Sequence, residues 1–199
     1  MATWLTHLRV AEKVSNIIHI LDKSLFFAGS IAPDSDMPSD ISHWCTNGDK
    51  TTCDAQGFYI KYILDNHQTV DTNFYWGYYI HLLTDILWHK QKILPLKHES
   101  KDNIRAIKEK WRFVDNCFLA THSDFNPLNV MKSAMEQPSN YEKQWFDYYT
   151  ASQVNNLVGG ILNNLDVVEI QSRDAIMETE IEQFIDECVG FIILKLKER

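Results

Sequence analysis

Apolar residues recur with the period of an α-helix along most of the chain. In residues 3–22, Leu8, Ala11 and Val14 begin one apolar stripe that continues through Leu21. Comparable patterns occupy residues 54–66, 74–91, 101–122, 125–136, 141–165 and 173–197. No stretch alternates apolar and polar residues over the length of a strand. The pattern therefore predicts an all-α multi-helix bundle.

One long segment lacks this periodicity. Residues 29–54, GSIAPDSDMPSDISHWCTNGDKTTCD, are rich in Gly, Pro, Ser and Asp, the composition of irregular structure. A loop of about 25 residues is long for a compact domain, and ordered loops of that length usually carry function or move. A second irregular place is the turn around Pro138, and the pair Gly159–Gly160 offers a break in the helix predicted over 141–165.

Composition narrows the class of protein. The chain has 199 residues, of which 45% are hydrophobic and 23% are charged, as expected for one globular domain over residues 1–199. The net charge is −8 and no block of Lys or Arg occurs, which argues against a nucleic-acid-binding protein. An acidic protein can still act on an anionic substrate if metal ions supply local positive charge.

The sequence also bears on location. The four cysteines lack metal-binding spacing, and we expect reduced thiols, with a Cys45–Cys53 disulfide as the alternative. The first residues do not resemble a signal peptide, and no window reaches the ~20 apolar residues of a membrane span. These features predict a cytoplasmic protein without a stable membrane anchor; they do not indicate its oligomeric state.

The segment GYYIHLLTDILWHKQ, residues 77–91, combines an apolar helix with polar groups. His81, Asp85 and His89 are spaced by four residues and lie along one flank of a helix. Burying a histidine and a carboxylate is costly unless a partner compensates them. Two explanations stay open: a His–Asp hydrogen bond within the core, or a metal ion.

Three further residues have side chains that bind metals. His7 lies at the edge of the first apolar stripe, Asp34 follows Pro33, and His43 precedes Trp44. Each has a structural explanation when taken alone, because buried histidines are usually hydrogen-bonded and Pro-Asp-Ser is common in turns. Imidazole and carboxylate together suit zinc, manganese, iron or cobalt, and the lack of Cys ligands favours a catalytic site over a structural one.

The order of these segments resembles the zinc-dependent phospholipase C family, and most closely a small intracellular bacterial branch of it. The resemblance covers residues 4–130 and is carried by His7, FFAGSIAPDS at 26–35, SHW at 42–44, GYYIHLLTD at 77–85 and HSDFNPLN at 122–129. It implies an all-α hydrolase of the phospholipase C and S1-P1 nuclease-like fold class, with a cleft for up to three zinc ions.

The resemblance also implies a role for each matching residue. One metal would be held by His43, His81 and Asp85, and a second by His7 and Asp34. Asp34 would lie near the attacking water and is therefore the candidate catalytic residue.

The family pattern is incomplete in this chain. Trp4 is internal, whereas the mature amino-terminal Trp of the secreted phospholipases is itself a metal ligand. The third ligand set, a His and a later His-xxx-Glu, has no clean counterpart, and His89, His122 and Asp124 are second-tier candidates. We therefore expect one or two ions, with zinc first and manganese or iron as alternatives.

These observations predict a hydrolase that uses a metal-activated water to cleave a small phosphate ester or a phospholipid-like substrate. The rival enzyme class, the histidine–aspartate phosphohydrolases, needs an adjacent His-Asp pair that the chain lacks. The alternative outside enzymology is a non-catalytic helical protein that binds a metal or another ligand.

Overall fold

The structure is a computed structural model that describes residues 2–64, 72–137, 141–150, 152–165 and 174–198. Within these ranges the chain forms helices α1 Trp4–Ser15, α2 Lys23–Ile31, α3 Ser39–Ser42, α4 Ala55–Tyr59, α5 Thr72–Trp88, α6 Lys101–Thr121, α7 Asn126–Met135, α8 Gln153–Asn163 and α9 Ala175–Lys197. The described ranges contain no strand, and the all-α prediction is confirmed.

The first predicted helix is too long. Helix α1 begins after Thr3, whose side chain accepts a hydrogen bond from the Thr6 amide, and it ends at Ser15 rather than near residue 22. Asp22 then caps α2, because its carboxylate accepts a hydrogen bond from the Leu25 amide. The N-cap therefore divides residues 3–31 into two helices, with exposed Ile17 and Leu21 between them.

The segment predicted as one irregular loop over 29–54 contains several short helical pieces. Its first residues, Gly29–Ile31, belong to α2, and a 3-10 turn at Ala32–Asp34 follows directly. Helix α3 and a second 3-10 turn at Lys50–Thr52 interrupt the rest. The buried, apolar Phe26–Ala32 segment extends α2 into the predicted loop.

The helix predicted over 141–165 is confined to α8, and Gly159–Gly160 do not break it. Residues 141–150 instead bury Trp145 and Phe146 against the aromatic side of α5, and buried Tyr141 donates a hydrogen bond to the Ser24 carbonyl oxygen of α2. Ring packing of this kind outweighs a weak local helical preference. Pro138, where a turn is predicted, and His67, a predicted loop residue, lie outside the described residues.

Helices α2 and α5 form the centre of the bundle and cross at two glycines. A Cβ atom at Gly29 would overlap the carbonyl oxygen of Phe74, and one at Gly77 would overlap the carbonyl oxygen of Phe26. Glycine at both positions therefore lets the two backbones approach closely. This contact sets the distance between the 3-10 turn after α2 and the polar flank of α5.

Replacing Gly77 by Ala is expected to lower the free energy of unfolding by ~3 kcal/mol, because the added methyl group must push α2 away from α5. Gly190→Ala is the matched control. Gly190 lies within α9 with open space around it, and the substitution is expected to stabilise the protein by ~0.5–1 kcal/mol. Urea unfolding measures both values, and equal effects of the two substitutions would contradict the close crossing.

Helix α9 covers the outer side of α1 and α5. Arg9 and Lys13 of α1 form ion pairs with Glu182 and Asp186 of α9, the latter with a distance of 2.7 Å between Lys13 Nζ and Asp186 Oδ1. In the part of the chain that the structure describes, no helix combines the length and hydropathy that a membrane crossing requires.

Candidate metal centre

Five side chains converge where α1, α5 and the segment after α2 meet. They are His7 of α1, Asp34 of the 3-10 turn, His43 directly after α3, and His81 and Asp85 of α5. Four of them expose 2% or less of their surface, whereas the Asp34 side chain keeps 13% exposed. These are the residues that the sequence nominates as metal ligands, and the fold brings all five together.

The potential ligand atoms of this cluster lie close to one another. His43 Nε2 lies 3.2 Å from His81 Nε2, 3.3 Å from Asp34 Oδ1 and 3.4 Å from Asp85 Oδ2. His7 Nε2 lies 3.5 Å from Asp85 Oδ1 and 4.0 Å from Asp34 Oδ2. Ligands about 2.0–2.1 Å from a tetrahedral zinc are separated by roughly 3.3 Å, so these spacings suit an ion of that size.

Hydrogen bonds fix which nitrogen of His81 faces the cluster. Its Nδ1 lies 2.8 Å from the carbonyl oxygen of Ser30, which only accepts, so Nδ1 carries the hydrogen and Nε2 presents a lone pair. His43 Nδ1 lies 2.9 Å from Ser42 Oγ, which leaves its Nε2 toward His81 as well. The Ser42 hydroxyl can donate or accept, so it allows the His43 tautomer with hydrogen on Nδ1; in that tautomer the Nε2 lone pairs of both rings are available to one cation.

Several buried polar atoms of the cluster have no hydrogen-bond partner among the described residues. They are both ring nitrogens of His7, Asp34 Oδ1 and Asp85 Oδ2. An unsatisfied buried polar atom is costly; the two carboxylate oxygens and the unprotonated ring nitrogen of His7 are good ligands for a divalent cation. The residues present therefore fit zinc better than they fit a metal-free core.

The cluster contains two three-residue groups that can hold an ion. One consists of His7, Asp34 and His81, and the other of His43, His81 and Asp85. His81 belongs to both, although its single free nitrogen can bind one ion at a time. The geometry is consistent with one fully ligated ion, or with two ions of which one lacks His81.

Burial and mutual attraction set the protonation states. Burial lowers the pKa of His81 to about 3, so its imidazole is neutral at physiological pH. Burial alone would raise the pKa of Asp34 and Asp85, but the nearby histidines outweigh it and hold both carboxyl pKa values below their ordinary range. Neutral imidazoles and ionised carboxylates are the forms that ligate metals.

The comparison with protein families agrees with this geometry. A family model described as zinc-dependent phospholipase C matches residues 6–154, which is more than half of the chain. The chain belongs to the zinc-dependent phospholipase C family. The resemblance predicted from the sequence is confirmed, and with it the phosphoric ester hydrolase class; the family and the His and Asp groups support zinc as the metal. None of the curated proteins or solved structures compared with the chain matches it.

Two groups at this phospholipase C-like centre have no counterpart in the sequence-based prediction. The Lys50 ammonium is buried, 2.6 Å from Ser39 Oγ and 3.9 Å from Asp85 Oδ2. Burial lowers its pKa, although Asp85 opposes that effect. The backbone amide of Ala2 donates a hydrogen bond of 3.2 Å to Asp85 Oδ1. Lys50 carries no motif signal, because only the fold places it beside Asp85.

The second-tier candidates lie outside the cluster. His89 Nε2 is 3.9 Å from Asp49 Oδ1, on the part of the chain that follows α5. His122 is exposed and stacks on Phe118, and Asp124 is also exposed. None of the three joins the two groups of metal-competent side chains found among the described residues.

A cleft of 520 Å³ opens beside the metal centre at Asp34, the most exposed of its five residues. Trp4, at the start of α1, lines this cleft. Lys108, Arg112 and Asp115 form the wall that α6 contributes. A volume of this size is ordinary for a small-molecule site.

Asp115, on this wall, predicts how the free energy of unfolding depends on pH. Burial raises the pKa of its carboxyl to about 6 from 3.8, although Thr3, Arg9 and His7 oppose the shift. A raised carboxyl pKa destabilises the folded state as pH rises from about 4 through 6, because ionisation costs more in the fold than in the unfolded chain. Asp115→Asn is therefore expected to stabilise the metal-free protein at pH 8 by up to ~3 kcal/mol.

The expected gain in free energy of unfolding shrinks as pH falls from about 6 to 4, where the wild-type carboxyl is protonated in the fold. Urea unfolding of chelator-treated protein at several pH values measures it. The exposed Asp147, replaced by Asn, is the control and is expected to show no such trend. A gain for Asp115→Asn that does not change with pH would contradict the buried, proton-binding carboxyl.

Proposed function

We propose that this member of the family hydrolyses a phosphate ester with His7, Asp34, His43, His81 and Asp85 as its zinc ligands. The observation that carries the proposal is the convergence of His43 Nε2 and His81 Nε2, 3.2 Å apart, with the carboxylates of Asp34 and Asp85, each of which has one buried oxygen without a hydrogen-bond partner among the described residues. That arrangement is costly without a cation and favourable with one. The hydrolase would occupy a single domain over residues 1–199 and would bind one or two ions.

The groups that contact the proposed ligand side chains also support their assignment as zinc ligands. Ser30 and Ser42 orient the rings of His81 and His43 through their Nδ1 atoms. Ala2 and Lys50 help to orient the carboxylate of Asp85. Groups of this kind keep ligands in a binding geometry before the ion arrives.

Asp34 is the residue that we assign to proton transfer. It is the only one of the five that borders the cleft, so a substrate in the cleft and a water beside it would both meet this carboxylate. The neighbouring histidines keep its pKa low and the carboxylate ionised, and it can therefore orient a water and accept its proton. Zinc, when bound, supplies a Lewis acid that polarises a phosphoryl oxygen and lowers the pKa of water.

Elemental analysis of the protein purified without an affinity tag, followed by hydrolysis assays, tests this function. We expect about one or two equivalents of zinc, hydrolysis of a chromogenic phosphodiester or phosphomonoester, and loss of that activity on chelation with recovery on adding zinc. Protein that binds zinc but hydrolyses neither ester class would favour the non-catalytic alternative. Protein that stays folded and takes up no metal would overturn the proposal.

A further inference from the structure

The wall of the cleft that α6 contributes carries two cations that the metal centre does not use. Lys108 and Arg112 are one helical turn apart on α6, and both line the cleft. Within the described part of the chain neither side chain forms an ion pair or a hydrogen bond. On the same helix, Arg105 does have a partner, Glu109, at 3.0 Å. Two adjacent cations without a partner among the described residues are notable in a chain with a net charge of −8.

Asp115, the carboxylate that α6 contributes to this wall, does not neutralise Lys108 and Arg112. Asp115 is buried and is engaged by Thr3 and Arg9, on the α1 side of the cleft. Lys108 and Arg112 are exposed and remain accessible from the cleft. Apolar side chains, among them Trp4, Trp111 and Leu157, form much of the remaining lining and lower the local dielectric. A cation in such a place attracts an anion more strongly than one on an open surface.

Arginine and lysine one turn apart offer complementary contacts to a phosphate or carboxylate. The planar guanidinium donates two parallel hydrogen bonds, and the ammonium adds a compact charge. We propose that the cleft binds a phosphate ester bearing a second anionic group, with the scissile phosphoryl group at Asp34 and the second group on Lys108 and Arg112. This inference rests on the proposed function of the metal centre and names its substrate class.

The charge pattern also argues against one kind of substrate. A phosphate ester whose other end is a quaternary ammonium would bring that cation toward Lys108 and Arg112 and would be repelled. A second anion can come from a water-soluble bisphosphorylated molecule or from the headgroup of a phosphorylated lipid. The two sources share the chemistry that the cleft would recognise, and a binding experiment can separate them.

Titration calorimetry with hydrolysis-resistant phosphonates tests the proposal on the full-length, zinc-loaded protein. The ligands are α,ω-alkanebisphosphonates from propane to hexane, each compared with the ω-hydroxyalkylphosphonate of the same length. We expect the bisphosphonate of at least one length to bind about tenfold more tightly, since a charge-assisted hydrogen bond contributes about that factor. In the variant with both Lys108→Gln and Arg112→Gln, that advantage should fall below about twofold.

Lys110→Gln is the control, because Lys110 is an exposed cation of the same helix that does not line the cleft. It is expected to keep the full bisphosphonate advantage. Two results would overturn this inference but not the proposed function. One is equal binding of both ligand types by the wild-type protein at every length, and the other is a bisphosphonate advantage that persists in the double variant. Failure of every phosphonate to bind zinc-loaded protein would overturn the proposed phosphate site as well.

A vesicle-binding assay distinguishes the two sources of the second anion, a lipid headgroup and a water-soluble molecule. Sedimentation with phosphatidylcholine vesicles, with and without a phosphorylated phosphatidylinositol, measures lipid binding by the same variants. Binding that requires both the phosphorylated lipid and the two cations would assign the second anion to a headgroup. Binding of soluble bisphosphonates without vesicle binding would assign it to a water-soluble substrate, and both results support the stated chemistry.

Discussion

Asp34→Asn is expected to lower kcat for phosphate ester hydrolysis by about 10³-fold while the protein stays folded. The amide keeps the size of the carboxylate but cannot accept a proton from water. Its loss of charge also weakens the His7–Asp34–His81 group, whereas His43, His81 and Asp85 retain their own ion-binding geometry. The substitution should therefore reduce turnover far more than it reduces the unfolding temperature.

Steady-state kinetics and elemental analysis of the same preparation check this result. Asp124→Asn is the matched control, because Asp124 is exposed and lies outside the metal cluster, and its kcat should stay within about twofold of wild type. If Asp34→Asn retained full turnover with full metal content, Asp34 would have no part in proton transfer. If wild type and variant both bound metal without turnover, the ion would serve stability alone.

The residues of the metal centre illustrate what a sequence can reveal. The four-residue spacing of His81 and Asp85 places them on one flank of a helix from helical geometry alone. His7, Asp34 and His43 lie on three other segments, and no periodicity relates them to α5. Their grouping is predicted only through the resemblance to a family with the same order of residues. The fold then brings their ligand atoms within 4.0 Å of those of α5.

The features that escaped prediction depend on contacts between distant segments. Lys50 is an ordinary lysine in a polar stretch, and only the fold buries it 3.9 Å from Asp85. Lys108 and Arg112 have the pattern of a solvated helix face until the cleft is known. The helix predicted over 141–165 fails at residues 141–150 because their aromatic rings find partners such as Phe74, far away in the sequence. Local propensity cannot report a partner that tertiary structure supplies.

His81→Ala is expected to weaken zinc binding by at least about 100-fold. His81 is common to both groups of candidate ligands, and its ring also stacks on His7 with 3.7 Å between centroids. Removing it deletes the only nitrogen that both groups share and frees the His7 ring to turn. Loss of His7 or His43 alone affects one group, so His81→Ala should have the largest effect on affinity among the histidines.

The stabilisation that zinc confers on folding measures this loss without any enzymatic assay. Free zinc at 100 times the dissociation constant adds about 2.7 kcal/mol to the free energy of unfolding, and a 100-fold weaker site at the same concentration adds only about 0.4 kcal/mol. The difference between zinc-loaded and chelated protein should therefore nearly vanish in His81→Ala and persist in His98→Ala, whose side chain is exposed. An undiminished zinc effect in His81→Ala would leave His81 and Asp85 as buried polar residues of the core, and the zinc would have to bind elsewhere.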